Sequence, residues 1–280
     1  MSKTAIVNKI IPFSNVDGPG NRTAIFFQSC PFRCLYCHNP ETMNLCVDCK
    51  ECIPTCPTHA LSEVSGKVVW DSSKCVDCDT CIKVCKHHSS PKVKTYDVQT
   101  LVAYIKEHAL FISGITVSGG ECMNYADFIY DLFVEVKKLG LTCLIDSNGA
   151  YDFKQYTPLL EISDGVMLDV KAVDETFHQK LCRYSNKVVL ENLEYLQSIG
   201  KLVEVRTVLL PDEDAQNTKT VDYVSKHLEA SIPYKLLRYR PYGVRPEGVS
   251  VFGMKTVSEA DANAYKKIAL MNRQGQVYVV

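Results

Sequence analysis

Eleven of the 14 cysteines in this chain fall between positions 30 and 85, in three runs of regular spacing. Cys30, Cys34 and Cys37 form CxxxCxxC. Cys46, Cys49, Cys52 and Cys56 form CxxCxxCxxxC, followed by Pro57. Cys75, Cys78, Cys81 and Cys85 repeat that spacing 29 residues later, with Lys86 in place of the proline. Dense thiols at fixed spacing, in a chain without an export signal, read as metal ligands rather than disulfides. The two four-cysteine runs follow the bacterial ferredoxin pattern, in which the fourth cysteine crosses to the other cluster. One [4Fe–4S] cube would take Cys46, Cys49, Cys52 and Cys85, and the other Cys75, Cys78, Cys81 and Cys56. Both cubes would be fully ligated. That suits electron transfer, and the clusters would also help to fold a unit too small for a core of its own. The three-cysteine run differs. Each of the four irons of a cube needs an outside ligand, so three thiolates leave one iron open to a substrate or cofactor. The rival readings are a zinc site, with His38 the nearby fourth ligand, or three unrelated buried thiols.

These runs need a scaffold, and the remainder of the chain alternates strand and helix signals. Apolar, β-branched or aromatic runs at 23–29, 114–118, 141–146, 165–170, 202–210 and 234–239 predict strands. Helical periodicity appears at 98–110, 125–139, 187–199, 218–228 and 258–271. A repeated βα order without hairpins predicts a parallel sheet. Six such strands are too few for an eight-stranded barrel and fit a partial (β/α)6 barrel. Cys30 follows the first predicted strand, which puts its loop at the carboxyl edge, where α/β folds place their sites. The expected organisation is residues 1–45 as the start of the core with the CxxxCxxC loop, 46–90 as a ferredoxin-like insert, and 91–280 as the rest of the barrel. A short polar hairpin around Gly66 joins the two insert runs.

Bulk properties narrow the function. The chain has 280 residues, 46% hydrophobic and 22% charged, with a net charge of −1. Nothing there suggests nucleic acid or another polyanion as the default partner. No apolar run approaches the ~18–20 residues of a membrane helix. Met1 to Asn8 shows no signal-peptide pattern. A cytoplasmic monomer is expected.

Three further motifs make the reading specific. Val16-Asp17-Gly18-Pro19-Gly20 precedes the first predicted strand, Tyr36-Cys37-His38-Asn39-Pro40 closes the first cysteine run, and Ser118-Gly119-Gly120-Glu121 follows the second strand. Together with CxxxCxxC they resemble the glycyl radical enzyme activating enzymes of the radical S-adenosylmethionine (SAM) superfamily. The insert resembles the subgroup with extra clusters, above all the YjjW-type members, whose partner is the YjjI glycyl radical protein. The likeness extends through Gly66–Trp70, Phe111-Ile112 with Gly114–Ser118, Cys143-Leu144 with Asp146–Gly149, and Met167–Asp169.

This resemblance implies three [4Fe–4S] clusters, with SAM as cosubstrate on the open iron of the Cys30–Cys34–Cys37 cluster. It implies reductive cleavage of SAM to methionine and a 5′-deoxyadenosyl radical, which takes a hydrogen atom from a glycine of the partner. It also implies a flavodoxin or ferredoxin as electron donor, and activity only without air. Carried over residue by residue, Tyr36, Gly119, Gly120, Glu121, Asp146, Ser147, Met167, Asp169 and Lys171 would form the SAM pocket, some of them helping to hold a monovalent cation. Arg206, in an apolar run, needs a partner if buried. A SAM carboxylate, Glu121 or Asp169 would serve. Arg240 stands where relatives often have a SAM-contacting histidine. The Asp17–Gly20 turn would face the partner's glycine loop, or else be an ordinary tight turn. Cys122 reads as an inert buried thiol, His87 and His88 as solvent-facing, and Trp70 as packing for the insert. Two other functions stay open: radical SAM chemistry on a small molecule or peptide side chain, and an electron carrier on an α/β scaffold.

Overall fold

The computed structural model describes residues 3–280; positions 1 and 2, at the head of the Met1–Asn8 segment, lie outside the described residues. The chain opens with a long strand, β1 (Thr4–Ser14), and turns back through Asp17–Gly20 into β2 (Arg22–Phe27). The cysteine-rich stretch follows, with β3 (Leu61–Val64), β4 (Lys67–Trp70) and a single turn α1 (Thr80–Lys83). Next come β5 (Lys94–Asp97), α2 (Val98–His108), β6 (Gly114–Gly119), α3 (Ala126–Lys137), β7 (Thr142–Ser147), α4 (Thr157–Ile162) and β8 (Gly165–Asp169). Two helices, α5 (Glu175–Cys182) and α6 (Lys187–Ser198), lead to β9 (Leu202–Leu209). The chain ends with α7 (Asp214–His227), β10 (Tyr234–Arg238), α8 (Pro246–Phe252), α9 (Glu259–Asn272) and β11 (Val277–Val279). Three helix starts (α2, α5 and α9) are fixed by side-chain caps. Asp97 accepts from Thr100 N, Asp174 from Phe177 N and Ser258 from Asp261 N.

The main sheet has the order β11-β10-β9-β8-β7-β6-β2-β1-β5. The six predicted strands, β2, β6, β7, β8, β9 and β10, are parallel neighbours in sequence order, the signature of a wound βα barrel. The expectation of no hairpins needs correction. β1 runs antiparallel to both β2 and β5. Asn8 and Lys9 break the apolar run of β1, and Pro12 near its end lacks a ladder donor, so its sequence does not read as a strand.

The parallel strands have two unlike faces, because alternate residues point opposite ways. Outward residues such as Ile115, Val117, Cys143, Ile145, Val166, Leu168, Val205 and Leu236 join the main hydrophobic core with the helices. Their neighbours Thr116, Ser118, Asp146, Asp169, Glu204, Arg206 and Lys235 alternate with them on the opposite face. The hydrophobic core is thus outside the sheet, and the inner face is free to be polar.

The stretch between Cys46 and Cys85 has a separate, small core of Cys52, Leu61 and Cys81 under Ile53, Val68, Trp70, Ile82 and Val84. β3 and β4 pair as a hairpin across Ser65 and Gly66, both at positive φ. The 29-residue repeat is visible in the backbone. Asp48 and Asp77, Lys50 and Asp79, and His59 and His88 take left-handed φ values at matching places in the two runs. Such turns are costly for side-chain-bearing residues and bend each run back on itself. The ends of the stretch are pinned together where Asn44 pairs with Ser89 and its side chain donates to His87 O.

Candidate active site

The first cysteine run lies on a loop beyond the carboxyl end of β2. Its entry residue, Ser29, has φ +85, an uncommon left-handed conformation held from three sides. Ser29 N donates to Thr42 O, while its carbonyl accepts from Glu121 N and from Asn124 Nδ2. Cys30 N donates to Met43 O, and Arg33 N and Leu35 N donate to the last-turn carbonyls of α5, Cys182 O and Leu181 O. Arg245 donates to the carbonyls of Arg33 and Cys34 from the far side. Gly248 of α8 lies so near the loop that an added Cβ would stand 1.9 Å from Leu35 O.

Cys30, Cys34 and Cys37 line one cleft of about 210 Å³. Its other walls include Tyr36 of the same loop, and Ser118, Gly119, Gly120, Asp146, Ser147, Asn148, Asp169 and Lys171 at and just beyond the ends of β6, β7 and β8. Gly119 has φ +121, and a Cβ there would meet the Phe27 backbone at 2.3 Å; one on Gly120 would meet Ser29 O at 2.4 Å. Glycine at both positions lets the β6 loop lie flat on the end of β2.

Buried polar bonds fix the cleft floor. Glu121 does not line the cleft. It is 1% exposed, and its carboxylate accepts from Ser147 Oγ (2.9 Å), Asn148 N (2.8 Å) and Met123 N (3.1 Å). Burial pushes its carboxyl up to about 7, against the pull of those donors. Asp146 accepts from Ser118 Oγ at 2.9 Å and pairs with Arg206 Nη1 at 3.1 Å. Burial raises the Asp146 carboxyl, and the Arg206 guanidinium opposes that rise. Arg206 also pairs with Glu204, which Lys235 reaches at 2.7 Å. The partners of Arg206 among the described residues are therefore Asp146 and Glu204, not the expected Glu121 or Asp169. Glu204 stands two residues before it on the same strand face. Met167 is fully buried, its sulfur 3.1 Å from Arg206 Nη2, beneath the cleft and not on its wall. Lys171 pairs with Asp169 at 2.9 Å and lies 5.6 Å from the Tyr36 ring centroid. Burial would lower Lys171, but Asp169 and Tyr36 outweigh it and hold the ammonium well above its ordinary range.

Arg240 is exposed and outside the cleft; its carbonyl accepts from His38 Nε2 at 2.7 Å. The Asp17–Gly20 turn sits at the amino edge, where Thr116 Oγ1 donates to Asp17 O and Arg22 to Pro19 O. Cys122 is buried, its thiol directed at Asp146 O. Two contacts to the cysteines have no forerunner in the sequence reading: Asn148 Nδ2 reaches Cys30 Sγ at 3.4 Å, and Cys182 Sγ lies 3.5 Å from Cys34 Sγ.

The donor set fits an iron–sulfur cube with a cofactor beside it. All three cysteines are free thiols. Burial pushes Cys30 up and Cys37 to about 12, whereas the hydrogen bond from Cys182 draws Cys34 down. Among the described residues no three His, Cys, Asp or Glu side chains gather around a single ion. A cube takes one thiolate per iron and accepts such a spread set. Among the described residues the Tyr36 hydroxyl, buried in the cleft wall, has no hydrogen-bond partner.

The cysteines of the insert surround two smaller cavities. One is walled by Cys46, Cys49, Cys52 and Cys85, together with Cys81; the other by Cys56, Cys75, Cys78 and Cys81.

A parallel partial barrel with three cysteines on one loop at its carboxyl edge defines a class, and comparison with known proteins agrees. Residues 24–224 match the family model described as the Radical SAM superfamily. The chain is 33% identical to the trans-4-hydroxy-L-proline dehydratase activating enzyme of Clostridioides difficile over 74% of this chain and 76% of that one. It is 31% identical to the (2S)-3-sulfopropanediol sulfolyase activating enzyme of Bilophila wadsworthia over 86% and 87%. Among solved structures, QueE from Escherichia coli superposes with a TM-score of 0.52 at 14% identity, over 99% of this chain and 94% of that one, a likeness of fold alone. The chain belongs to the radical SAM superfamily and, within it, to the glycyl radical enzyme activating enzymes.

Proposed function

We propose that the protein activates a glycyl radical enzyme, with Cys30, Cys34 and Cys37 holding a [4Fe–4S] cluster and the adjoining cleft holding SAM. When bound, the cluster and SAM supply the electron transfer that splits SAM into methionine and a 5′-deoxyadenosyl radical. The chain's own residues bind and orient. The thiolates of Cys30, Cys34 and Cys37 would hold three of the irons and leave the fourth open to the cofactor. The flat Gly119–Gly120 backbone admits the cofactor closely, and Ser118, Asp146 and Asp169 offer acceptors to its ammonium. Lys171 offers a cation beside Tyr36. Arg206 and Glu121 act from beneath, Arg206 by holding Asp146 and Glu121 by fixing Ser147 and Asn148. The transferred particle is a hydrogen atom, so no side-chain base is needed and positioning carries the catalytic burden.

Two auxiliary [4Fe–4S] clusters in the crossed pairing, relaying electrons from a flavodoxin or ferredoxin, complete the proposal, with the 46–90 stretch as the ferredoxin-like unit. The two cavities support it, each walled by the four cysteines that the crossed pairing calls for. A YjjI-like protein is the proposed partner.

The observation that carries the reading is the convergence of the three-cysteine loop with the polar ends of β6, β7 and β8 on one cleft. The test is anaerobic mixing of reconstituted protein, SAM, reductant and a YjjI-like glycyl radical protein. The expected result is a glycyl doublet in the EPR spectrum of the partner. Deoxyadenosine release with no doublet on any glycyl radical protein offered would reject the activase role and favour a small-molecule or peptide substrate.

A further inference from the structure

Cys182 is the last residue of α5, followed by Arg183 in the left-handed conformation that ends the helix. The carbonyls of its last turn have no partners inside the helix. Two of them, Leu181 O and Cys182 O, receive the N–H groups of Leu35 and Arg33, so the helix end grips the middle of the CxxxCxxC loop. The grip aims the Cys182 side chain at Cys34: the two sulfurs are 3.5 Å apart, and Cys182 is wholly buried. Cys182 is not among the residues that wall the cleft, so it stands behind Cys34 relative to the cofactor space. Two thiolates on different irons of one cube are held apart by the cube itself. A sulfur touching Cys34 from behind is therefore badly placed to be a fourth ligand.

With Cys34 bound to iron as a thiolate, the proton shared between the two sulfurs belongs to Cys182. We infer that Cys182 is a positioning residue that donates an S–H···S hydrogen bond to the Cys34 thiolate and so raises the reduction potential of the cluster. Reduction adds negative charge to the cube and its thiolates, and a donor to a ligand sulfur favours the more negative state. Asn148 Nδ2, 3.4 Å from Cys30 Sγ, makes a second such contact on another ligand. Cys34 thus has a donor of its own in the wholly buried Cys182. The effect is to bring the cluster's potential nearer to what a biological donor can reach, while the open iron stays free.

The inference rests on the reading that Cys30, Cys34 and Cys37 hold the cluster. Its test is an EPR-monitored redox titration of the anaerobically reconstituted full-length protein, following the reduced-cluster signal that changes when SAM is added. Cys182→Ala is expected to keep that signal but with a lower midpoint potential. Cys182→Ser, which retains a donor at the position, is expected to stay closer to the unaltered protein. Equal midpoints in the unaltered protein and Cys182→Ala overturn the inference. Loss of the SAM-responsive signal in Cys182→Ala overturns it as well, because Cys182 would then be a ligand or a structural requirement. An unaltered protein with no SAM-responsive signal refutes the cluster assignment itself, and the inference falls with it.

Discussion

The barrel cleft and the cysteine-rich stretch between Cys46 and Cys85 present thiols on very different foundations. In the cleft, the loop from Ser29 to Cys37 is gripped by the end of α5, by Arg245, by Thr42 and Met43, and by the β6 loop. Its floor is a set of buried hydrogen bonds and ion pairs on the inner face of a large sheet. In the insert, eight cysteines depend on a core of three buried side chains, two of them cysteines, and on left-handed turns that cost energy. Its outer ties are exposed ion pairs such as Lys50–Glu63 and Lys86–Glu51, which contribute little. The barrel builds its socket with its own interactions, whereas the insert, on the proposed reading, would need its ligands in order to be a structure. A site that must admit and release a cofactor requires a preformed wall; the electron relay proposed for the insert would not.

The sharpest way to break this comparison is to remove the iron. Metal binding in a small unit doubles as folding energy. Anaerobic chelation is expected to open the 46–90 stretch to trypsin at Lys50, Lys67, Lys74, Lys83 and Lys86, while the barrel stays resistant. Equal sensitivity of both regions, or an insert that resists digestion without iron, contradicts the contrast.

A second test asks whether the insert's two cages are interlocked. In the crossed pairing Cys46 and Cys85 belong to the same cube, so Cys46→Ala and Cys85→Ala together should remove one cluster, about four irons, as either change does alone. In an uncrossed pairing the double variant removes two clusters, about eight irons. Iron analysis beside the single variants decides between them.

The sequence reveals this architecture unevenly. The cysteine runs are local patterns, and the six parallel strands are apolar segments of ordinary length, so both are readable from composition and period. Asp146, Ser147, Asp169 and Lys171 share the cleft because strand ends in such a barrel converge, a rule of topology and not of these residues. What sequence cannot display is contact across distance. Cys182 is 148 positions from Cys34. Met167 reads as a site residue because it shares a strand face with Asp169, yet it lies two residues deeper in the strand, against Arg206 and beneath the cleft. Arg240 falls in the right loop, but its side chain is exposed. Strand β1 is obscured by Asn8, Lys9 and Pro12, and only its pairing with β2 and β5 shows what it is.

The cleft floor can be probed by removing its central cation. Arg206 is 12% exposed and holds Asp146 and Glu204, themselves 14% and 9% exposed. Arg206→Met fills the volume but leaves Asp146 without its cation and Glu204 with Lys235 alone. Removing one partner from a buried ion pair costs about 3–5 kcal/mol. The expected outcome is a lower urea midpoint for global unfolding, with the insert's iron content unchanged. A variant as stable as the unaltered protein would show that the floor is not held by this network.

The smallest effect, and the most specific to the preformed socket, is the pH response of Glu121. Its carboxyl sits at about 7 in the folded chain because burial disfavours the charge, against about 4.3 for an ordinary glutamate. Between those values the folded state holds a proton that the unfolded state has lost. Stability therefore falls as pH rises through this window, by at most about 1.4 kcal/mol per pH unit. Below the window both states are protonated and above it both are ionised, so the contribution is flat at either end. Glu121→Gln cannot ionise, and its pH–stability curve, measured by urea unfolding of the iron-free protein, should lack this descent whatever the constant cost of the amide. Parallel curves for the two proteins between pH 4.5 and 7 would mean that Glu121 is solvated in the folded state, and that the floor beneath Ser147 and Asn148 is not the dry, prebuilt surface on which the contrast with the insert depends.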